Sequence, residues 1–163
     1  MAGASQGQFV VRGPLGGQGA AAERILRDLP QWFAIESALV EYAAAADELP
    51  TFVAVAGHDP SGEVVGFVTL KRTSECAQEL HVMGVLRAWH RRGVGLALVE
   101  RAAAHARAAG CELLHVKTLA ASDPDPGYAA TRAFYRALGF LPLEVLPEVW
   151  GPDDPCLLLV KPL

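Results

Sequence analysis

The chain has 163 residues, a length typical of one domain with a sizeable hydrophobic core. With 52% hydrophobic and 20% charged residues, it has an ordinary globular composition, and no apolar run reaches the roughly 20 residues needed to cross a bilayer. A net charge of −4 and a pI near 5.7 argue against a general nucleic-acid-binding protein, which usually carries a basic face. We therefore expect one domain, residues 1–163, with no nucleic-acid partner and no membrane partner.

The N-terminal half predicts a strand, two helices and a hairpin. Its first residues, MAGASQGQ, have neither the charged start nor the apolar core of a signal peptide, so we expect a cytoplasmic protein. Two apolar runs flank the turn-forming segment HDPSG, a pattern that predicts an antiparallel hairpin. The predicted elements are a strand over Phe9–Leu15, helices over Ala20–Asp28 and Trp32–Asp47, and strands over Thr51–Gly57 and Glu63–Arg72.

The C-terminal half predicts a strand, a long alanine-rich helix, and then further strands around a second helix. Together with the first half, this gives the order β-α-α-β-β-β-α-β-α-β-β, which is typical of a mixed α/β sheet with helices on its faces. The predicted elements are strands over Ala77–Leu86, Cys111–Ala120, Leu141–Leu146 and Cys156–Leu163, the long helix ending at Gly110, and a helix over Tyr128–Leu138.

Two of the predicted helices have identifiable buried faces. Gly110 is expected to end the long helix, because glycine readily adopts the left-handed conformation of a helix C-cap. The predicted stripes are Phe33, Ser37, Val40 and Ala44 in the helix over Trp32–Asp47, and Leu98, Ala102, Ala106 and Ala109 in the long helix.

The three cysteines, Cys76, Cys111 and Cys156, show no CxxC spacing, and their odd number argues against a disulfide framework. No group of histidines, cysteines and carboxylates has the spacing of a metal site, so we expect no bound metal.

A glycine-containing turn precedes the long helix, where Arg91 and Arg92 are followed by Gly93, Val94 and Gly95. The start of a helix presents unpaired N–H groups and partial positive charge, and glycine lets an anion approach them closely. Taken alone, the pattern favours a tight strand-to-helix turn with a solvated arginine pair. The third glycine of a dinucleotide-binding fingerprint and the Lys-Ser/Thr of a Walker loop are both missing.

Two stretches resemble signatures of the GNAT acetyltransferase superfamily. The segment ELHVMGVLRAWHRRGVGLALVE resembles its coenzyme-A-binding core, and TRAFYRALGF resembles its second signature. Both occur in the family's order, and the predicted elements match over nearly the whole chain. Three residues depart from the usual pattern: His90 stands for Gln or Arg, Tyr128 for Asn and Thr131 for Ala.

The resemblance implies acetyl-CoA as co-substrate and a mostly antiparallel sheet with a splayed central parallel strand pair. The strand Glu79–Val85 would pair with the pantetheine arm, and a glycine in mid-strand is consistent with close backbone approach. The cofactor contacts implied are Met83, Gly84, Val85, His90, Arg91, Arg92, Gly93, Val94, Gly95, Leu96 and Tyr135.

The same resemblance implies direct acetyl transfer to a primary amine. Glu79 matches the position of a catalytic base, and partial burial could raise its pKa towards neutral pH. His81 lies two residues on, on the same strand face, and His81 or a water molecule is the alternative base. Tyr135 matches the family's usual general acid, which would protonate or hydrogen-bond the departing thiolate.

The acceptor is expected to be a small-molecule amine, bound by a monomer or a homodimer. Trp32 and Glu36 are the predicted acceptor contacts, because aromatic and acidic groups attract a cationic amine. Weaker candidates are Asp123, Asp125, Glu148 and Trp150. Two other functions stay open: a catalytically silent acyl-CoA-binding sensor, and a regulator whose loop binds ATP or NAD.

Overall fold

The computed structural model describes residues 8–163, and its elements follow the predicted order. The elements are β1 (Phe9–Leu15), α1 (Gly19–Arg27), α2 (Glu36–Glu48), β2 (Thr51–Ala56), β3 (Val64–Arg72), β4 (Ala77–Val85), a short 3₁₀ helix (Arg87–Trp89), α3 (Val94–Ala108), β5 (Leu113–Leu119), α4 (Pro126–Ala137), β6 (Leu141–Leu146) and β7 (Cys156–Pro162).

The seven strands form one mixed sheet in the order β1-β2-β3-β4-β5-β7-β6. Strand pairs β1–β2, β2–β3, β5–β7 and β6–β7 are antiparallel, whereas β4 and β5 are parallel. The parallel ladder joins Ala77–Glu79 to Leu113–His115, while β4 continues to Val85 and β5 to Leu119. The predicted mixed, mostly antiparallel sheet with a central parallel pair is confirmed.

The chain divides into two compact units. Of the described residues, the first unit contains 8–71 together with Val82–Ala102, and the second contains Arg72–His81 together with Ala103–Leu163. The boundaries fall inside β4 and α3, so the two halves of each element belong to different units.

The core of the first unit forms where α1 and α2 pack on the strands. Apolar residues recur along α1 at helical spacing, which gives it one continuous apolar face. Strand β2 is buried on both faces over nearly its full length, as its unbroken apolar sequence predicts. The core residues are Ala22, Ile25, Leu26, Leu29, Leu39, Ala46, Val53, Val55, Phe67 and Val82.

Gly84, near the end of β4, is buried against α1. A Cβ at this position would lie 3.1 Å from Ile25 Cγ2 and 3.3 Å from both Leu29 Cδ1 and Phe67 Cε1. Such contacts overpack a core, because neighbouring side chains have to leave their preferred positions. The glycine therefore allows a close approach of the protein's own side chains.

Helix α2 begins at Glu36, four residues later than predicted. The chain before it forms a turn in which the Phe33 amide donates to the Leu29 carbonyl (3.1 Å). The predicted buried stripe is wrong, since Val40 is 52% exposed and Leu39 is buried instead. Phe33 precedes the helix and does not share its periodicity, and the buried residues of α2 are Leu39 and Ala46.

Helix α3 ends at Ala108, and Gly110 follows it with a φ of +83°. The Cys111 amide donates to the Ala106 carbonyl (2.9 Å), which completes the predicted glycine cap. Ala109 lies beyond the helix and is exposed, so its predicted place on the buried face is wrong.

Helix α4 begins at Pro126, two residues earlier than predicted. Asp125 is its N-cap and accepts a hydrogen bond from the Gly127 amide (2.7 Å), while the Asp125 amide donates to Asp123 (2.9 Å). Proline suits the first helical position because no N–H partner is needed there. Two of the weaker acceptor candidates therefore stabilise the start of α4.

Within residues 8–163, no helix combines the length and the apolar character required to cross a bilayer. In the same residues, no group of three His, Cys, Asp or Glu side chains is arranged so that it could hold a metal ion. The signal-peptide prediction concerns the first eight residues, and residues 1–7 of these lie outside the described part of the chain.

Candidate functional site

The segment that joins β4 to α3, residues 86–93, is called the β4–α3 loop below, and it lies in the first unit. At its start, the Arg87 amide donates to Asp28 Oδ2 (2.8 Å). The ring of His90 lies 2.7 Å, through Nε2, from the Val85 carbonyl. Since a carbonyl can only accept, His90 Nε2 carries the proton. The predicted cofactor contact His90 thus stabilises the loop itself.

The backbone of the β4–α3 loop has the form of an anion-binding nest. Arg91 (φ +59°) and Gly93 (φ +83°) both adopt positive φ angles, on either side of Arg92. Such alternation turns successive N–H groups towards one point. Among residues 8–163, no protein group accepts a hydrogen bond from the amides of Val94–Leu96. This turn can therefore offer its amides to an anion.

The side chains of the loop leave this backbone accessible. Arg91, Arg92 and Gly93 are all exposed, and a Cβ built on Gly93 would meet nothing within 4 Å. The Arg92 guanidinium lies 5.1 Å from the centre of the Trp89 ring, a cation–π distance. Leu96, in the first turn of α3, is 42% exposed. The loop is thus positively charged and open to an incoming anion.

The two predicted acceptor contacts, Trp32 and Glu36, also lie in the first unit. The Trp32 ring packs edge-on against His90, with ring centres 6.2 Å apart. Glu36 is paired through both oxygens with the Arg27 guanidinium (2.7 and 3.0 Å). These hydrogen bonds lower the pKa of Glu36, and the salt bridge balances its charge.

In the second unit, Glu79 lies at the centre of a cluster of ionisable side chains. Its Oε1 is 3.0 Å from His81 Nδ1, and its Oε2 accepts a hydrogen bond from Lys117 Nζ (2.7 Å). The Glu79 side chain is only 8% exposed, against 24% for His81 and 34% for Lys117. The carboxylate is therefore held in one position by partners on β4 and β5.

The ionisation of Glu79 differs from the sequence-based expectation. Burial raises the pKa of this carboxyl, but hydrogen bonds from His81 and Lys117 outweigh burial and lower its pKa to about 2. Glu79 is therefore ionised at neutral pH and has little tendency to take up a proton.

The ion pair between Glu79 and Lys117 predicts that the free energy of unfolding falls in acid. A carboxyl with a folded-state pKa of about 2 stabilises the protein above its unfolded pKa of 4.5, and this stabilisation is lost as the pH falls towards 2. The difference corresponds to at most about 3 kcal/mol. Urea unfolding of the wild type and of Glu79→Gln at pH 7, 4 and 2.5 should show a smaller acid-induced loss in the variant. Parallel pH curves would contradict the ion-pair assignment.

His115 is the fourth member of the cluster. Its Nε2 lies 2.7 Å from Thr73 Oγ1 and its Nδ1 lies 3.8 Å from Glu79 Oε2, beyond hydrogen-bond distance. Burial lowers the pKa of the His115 ring, so the ring is neutral at pH 7. Its Nδ1 is buried and lacks a hydrogen-bond partner within the described residues.

Tyr135, the predicted acid, is 6% exposed on α4. Its ring packs edge-on against Phe134 and Phe140, with ring centres 5.3 and 5.4 Å away. Burial raises the pKa of the phenol. The phenol therefore stays protonated at physiological pH and can act as a hydrogen-bond donor.

The segment after β6 forms an open cavity of about 340 Å³, lined by Leu146, Pro147, Glu148 and Val149. Trp150, which follows it, is 40% exposed. Glu148 and Trp150, two of the weaker acceptor candidates, thus lie in or beside a solvent-accessible depression of the second unit.

The sequence that forms the β4–α3 loop and the central strands matches a known protein family. Residues 47–142, more than half of the chain, match the model of the acetyltransferase (GNAT) domain. The chain belongs to the GNAT acetyltransferase family. The matched residues of this GNAT chain include the β4–α3 loop, the Glu79 cluster and Tyr135.

Solved structures show the same fold at low sequence identity. A GNAT-family protein from Desulfovibrio desulfuricans superimposes with a TM-score of 0.80 at 19% identity, covering 95% of this chain and 99% of its own. The ribosomal-protein-S18-alanine N-acetyltransferase of Escherichia coli matches with a TM-score of 0.71, 19% identity and coverages of 95% and 94%. An aminoglycoside 6′-N-acetyltransferase complexed with coenzyme A matches with a TM-score of 0.69 and 18% identity, covering 94% of this chain and 96% of its own.

Sequence reasoning about this GNAT chain missed Lys117 and His115 as partners of Glu79. The available signal was strand alternation, which places His115 and Lys117 on one face of β5 and Glu79 and His81 on one face of β4. Only the parallel register, in which Glu79 pairs with His115, brings the two faces together.

Proposed function

We propose that the protein is an acetyl-CoA-dependent N-acetyltransferase that transfers the acetyl group directly to a primary amine, most naturally that of a small molecule. The observation that carries this proposal is the β4–α3 loop in a GNAT chain. Its positive φ angles and unused amides suit a diphosphate, and a solved GNAT relative contains coenzyme A.

The donor would be held mainly by main-chain groups. The amides of Gly93–Leu96 would bind the diphosphate, and Arg91 and Arg92 would add charge-assisted contacts. Backbone groups of Met83–Val85 would pair with the pantetheine arm in the manner of an added strand. His90 would act by fixing the loop through its bond to the Val85 carbonyl.

The proposed reaction is a single displacement. The lone pair of the neutral amine attacks the acetyl carbon, the C–S bond breaks, and the sulfur leaves with the bonding electrons. One amine proton passes to a base, for which Glu79, His81 and water are the candidates. Tyr135 would donate a hydrogen bond to the departing thiolate. No cysteine has a motif context for a covalent intermediate.

For the acceptor, we propose a small amine that is cationic in solution. Trp32 and Glu36 stay our proposed contacts, although Arg27 already neutralises the carboxylate of Glu36. An amine would have to displace that guanidinium or use the aromatic face of Trp32. Fold and family do not select an acceptor, since the matched structures include enzymes named for an aminoglycoside and for a ribosomal protein.

The proposal predicts that thiol is released from acetyl-CoA when a suitable amine is present. Purified protein should be assayed against small primary amines and peptides with free N-termini, with mass spectrometry of the products. We expect acetylation of at least one small amine. Acetylation of peptides alone would overturn the small-molecule assignment.

A catalytically silent acyl-CoA-binding module is the second candidate, favoured by the buried phenol and the stably ionised Glu79. Tight coenzyme A binding without thiol release on the whole panel would support it. Displacement of coenzyme A by ATP or NAD would instead support a nucleotide-binding regulator.

A further inference from the structure

The Glu79 carboxylate is poorly suited to accept a proton. Both of its oxygens have nitrogen partners within hydrogen-bond distance, His81 at 3.0 Å and Lys117 at 2.7 Å. Protonation would break the charge-assisted bond to the ammonium group inside a site where Glu79 is 8% exposed. A different group has to take the amine proton if the protein catalyses the proposed reaction.

The carboxylate instead determines the tautomer of the neighbouring imidazole. An ionised carboxylate has no proton to give, so the 3.0 Å contact between Glu79 Oε1 and His81 Nδ1 requires the proton on Nδ1. In a neutral imidazole, the other nitrogen, Nε2, then carries the lone pair. The His81 side chain is 24% exposed, so water can reach it.

We infer that His81 Nε2 is the proton acceptor of this acetyltransferase, and that Glu79 and Lys117 are positioning residues that fix the ring and its tautomer. The inference rests on the proposed function, which supplies the amine proton. It reassigns Glu79 from base to the residue that orients the base.

Atoms and charges balance in this scheme. As the amine nitrogen bonds to the acetyl carbon, its proton passes to His81 Nε2, directly or through one water molecule. The imidazolium so formed is stabilised by the Glu79 carboxylate across the Nδ1–H bond. After product release the imidazolium returns its proton to solvent, and the departing thiolate takes up a proton at the sulfur to become the free thiol.

The charges around the His81 ring determine how substitutions of Glu79 and Lys117 change the pH dependence of proton uptake by His81. Glu79 and His81 lie on β4, His115 and Lys117 face the carboxylate from β5, and the Cys156 thiol lies close enough on β7 to respond to both charges. Removing the Glu79 charge destabilises the imidazolium, whereas removing the Lys117 charge relieves repulsion of it. The two variants should therefore shift the titration in opposite directions.

The kinetic test is the pH dependence of kcat/KM for one acetylated amine. His81→Gln should lower kcat/KM at pH 8 by at least tenfold and abolish the limb of the wild-type profile along which kcat/KM rises with pH. Glu79→Gln should keep that limb but move it to lower pH, and Lys117→Met should move it to higher pH. The matched control His58→Gln, an exposed histidine of the β2–β3 turn, should leave the profile unchanged.

A limb that survives in His81→Gln and disappears in Glu79→Gln would overturn the inference and return the base to Glu79. Circular dichroism and thermal unfolding of each variant identify a variant that fails to fold. If Lys117→Met fails to fold, Lys117→Gln takes its place.

A second measurement does not depend on turnover. Nitrogen-15 NMR of histidine-labelled protein, assigned with His81→Gln, should show the neutral His81 ring protonated at Nδ1 and unprotonated at Nε2. An Nε2–H tautomer overturns the inference even in an active enzyme. Absence of transfer to every amine, with the Nδ1–H tautomer present, would refute the proposed function and leave the positioning contact intact.

Discussion

Gly93→Glu is expected to lower the affinity for coenzyme A by about 100-fold or more, equivalent to about 3 kcal/mol. The substitution adds a carboxylate to the turn whose amides and arginines form the proposed diphosphate site. Like charges at short range repel strongly, and the added side chain fills the space that an anion would occupy. Isothermal titration calorimetry with coenzyme A, at fixed ionic strength, measures the effect.

The backbone at Gly93 requires a matched control. Its φ of +83° is costly for any residue with a Cβ, so every substitution strains the turn by about 1–2 kcal/mol. Gly93→Gln has the same shape and strain as Gly93→Glu but no charge. We expect the glutamine variant to retain a clearly larger share of the affinity. Equal losses would assign the effect to backbone strain, and unchanged affinity in both would remove the diphosphate site from this loop.

Tyr135→Phe is expected to lower kcat by roughly 10- to 100-fold, with the KM for acetyl-CoA changing less than about threefold. In the proposed mechanism the phenol donates its hydrogen bond only as charge develops on sulfur, so its removal should raise the barrier without weakening ground-state binding. Steady-state kinetics with the best amine of the panel separate the two constants.

The packing of Tyr135 makes phenylalanine a clean substitution. The ring contacts Phe134 and Phe140 do not involve the hydroxyl, so the variant should unfold at nearly the wild-type temperature. Because burial raises the pKa of the phenol, wild-type activity should show no loss from ionisation of Tyr135 up to about pH 10. An unaltered kcat in Tyr135→Phe would eliminate the acid assignment.

The order of elements and the position of the glycine turn could be predicted from the sequence because they depend on local chemistry. Strand β1 was predicted with its observed bounds, since its apolar residues lie close together in the chain. The helix cap at Gly110 follows from the same kind of local signal, a residue that tolerates positive φ. The start of α2 was missed because the turn at Phe33 is stabilised by a bond back to Leu29, which helical periodicity does not register.

The sequence by itself therefore determined the α/β class, the strand–loop–helix that presents Gly93, and the candidacy of Glu79 and Tyr135. Only the tertiary structure decided their electrostatics, because these depend on groups distant in sequence. Lys117 is 38 residues from Glu79, and the parallel register of β4 and β5 places its ammonium 2.7 Å from the carboxylate. Together with the hydrogen bond from His81, this contact outweighs burial and lowers the pKa of Glu79, opposite to the expected direction. The proposal that another group accepts the amine proton follows from that change.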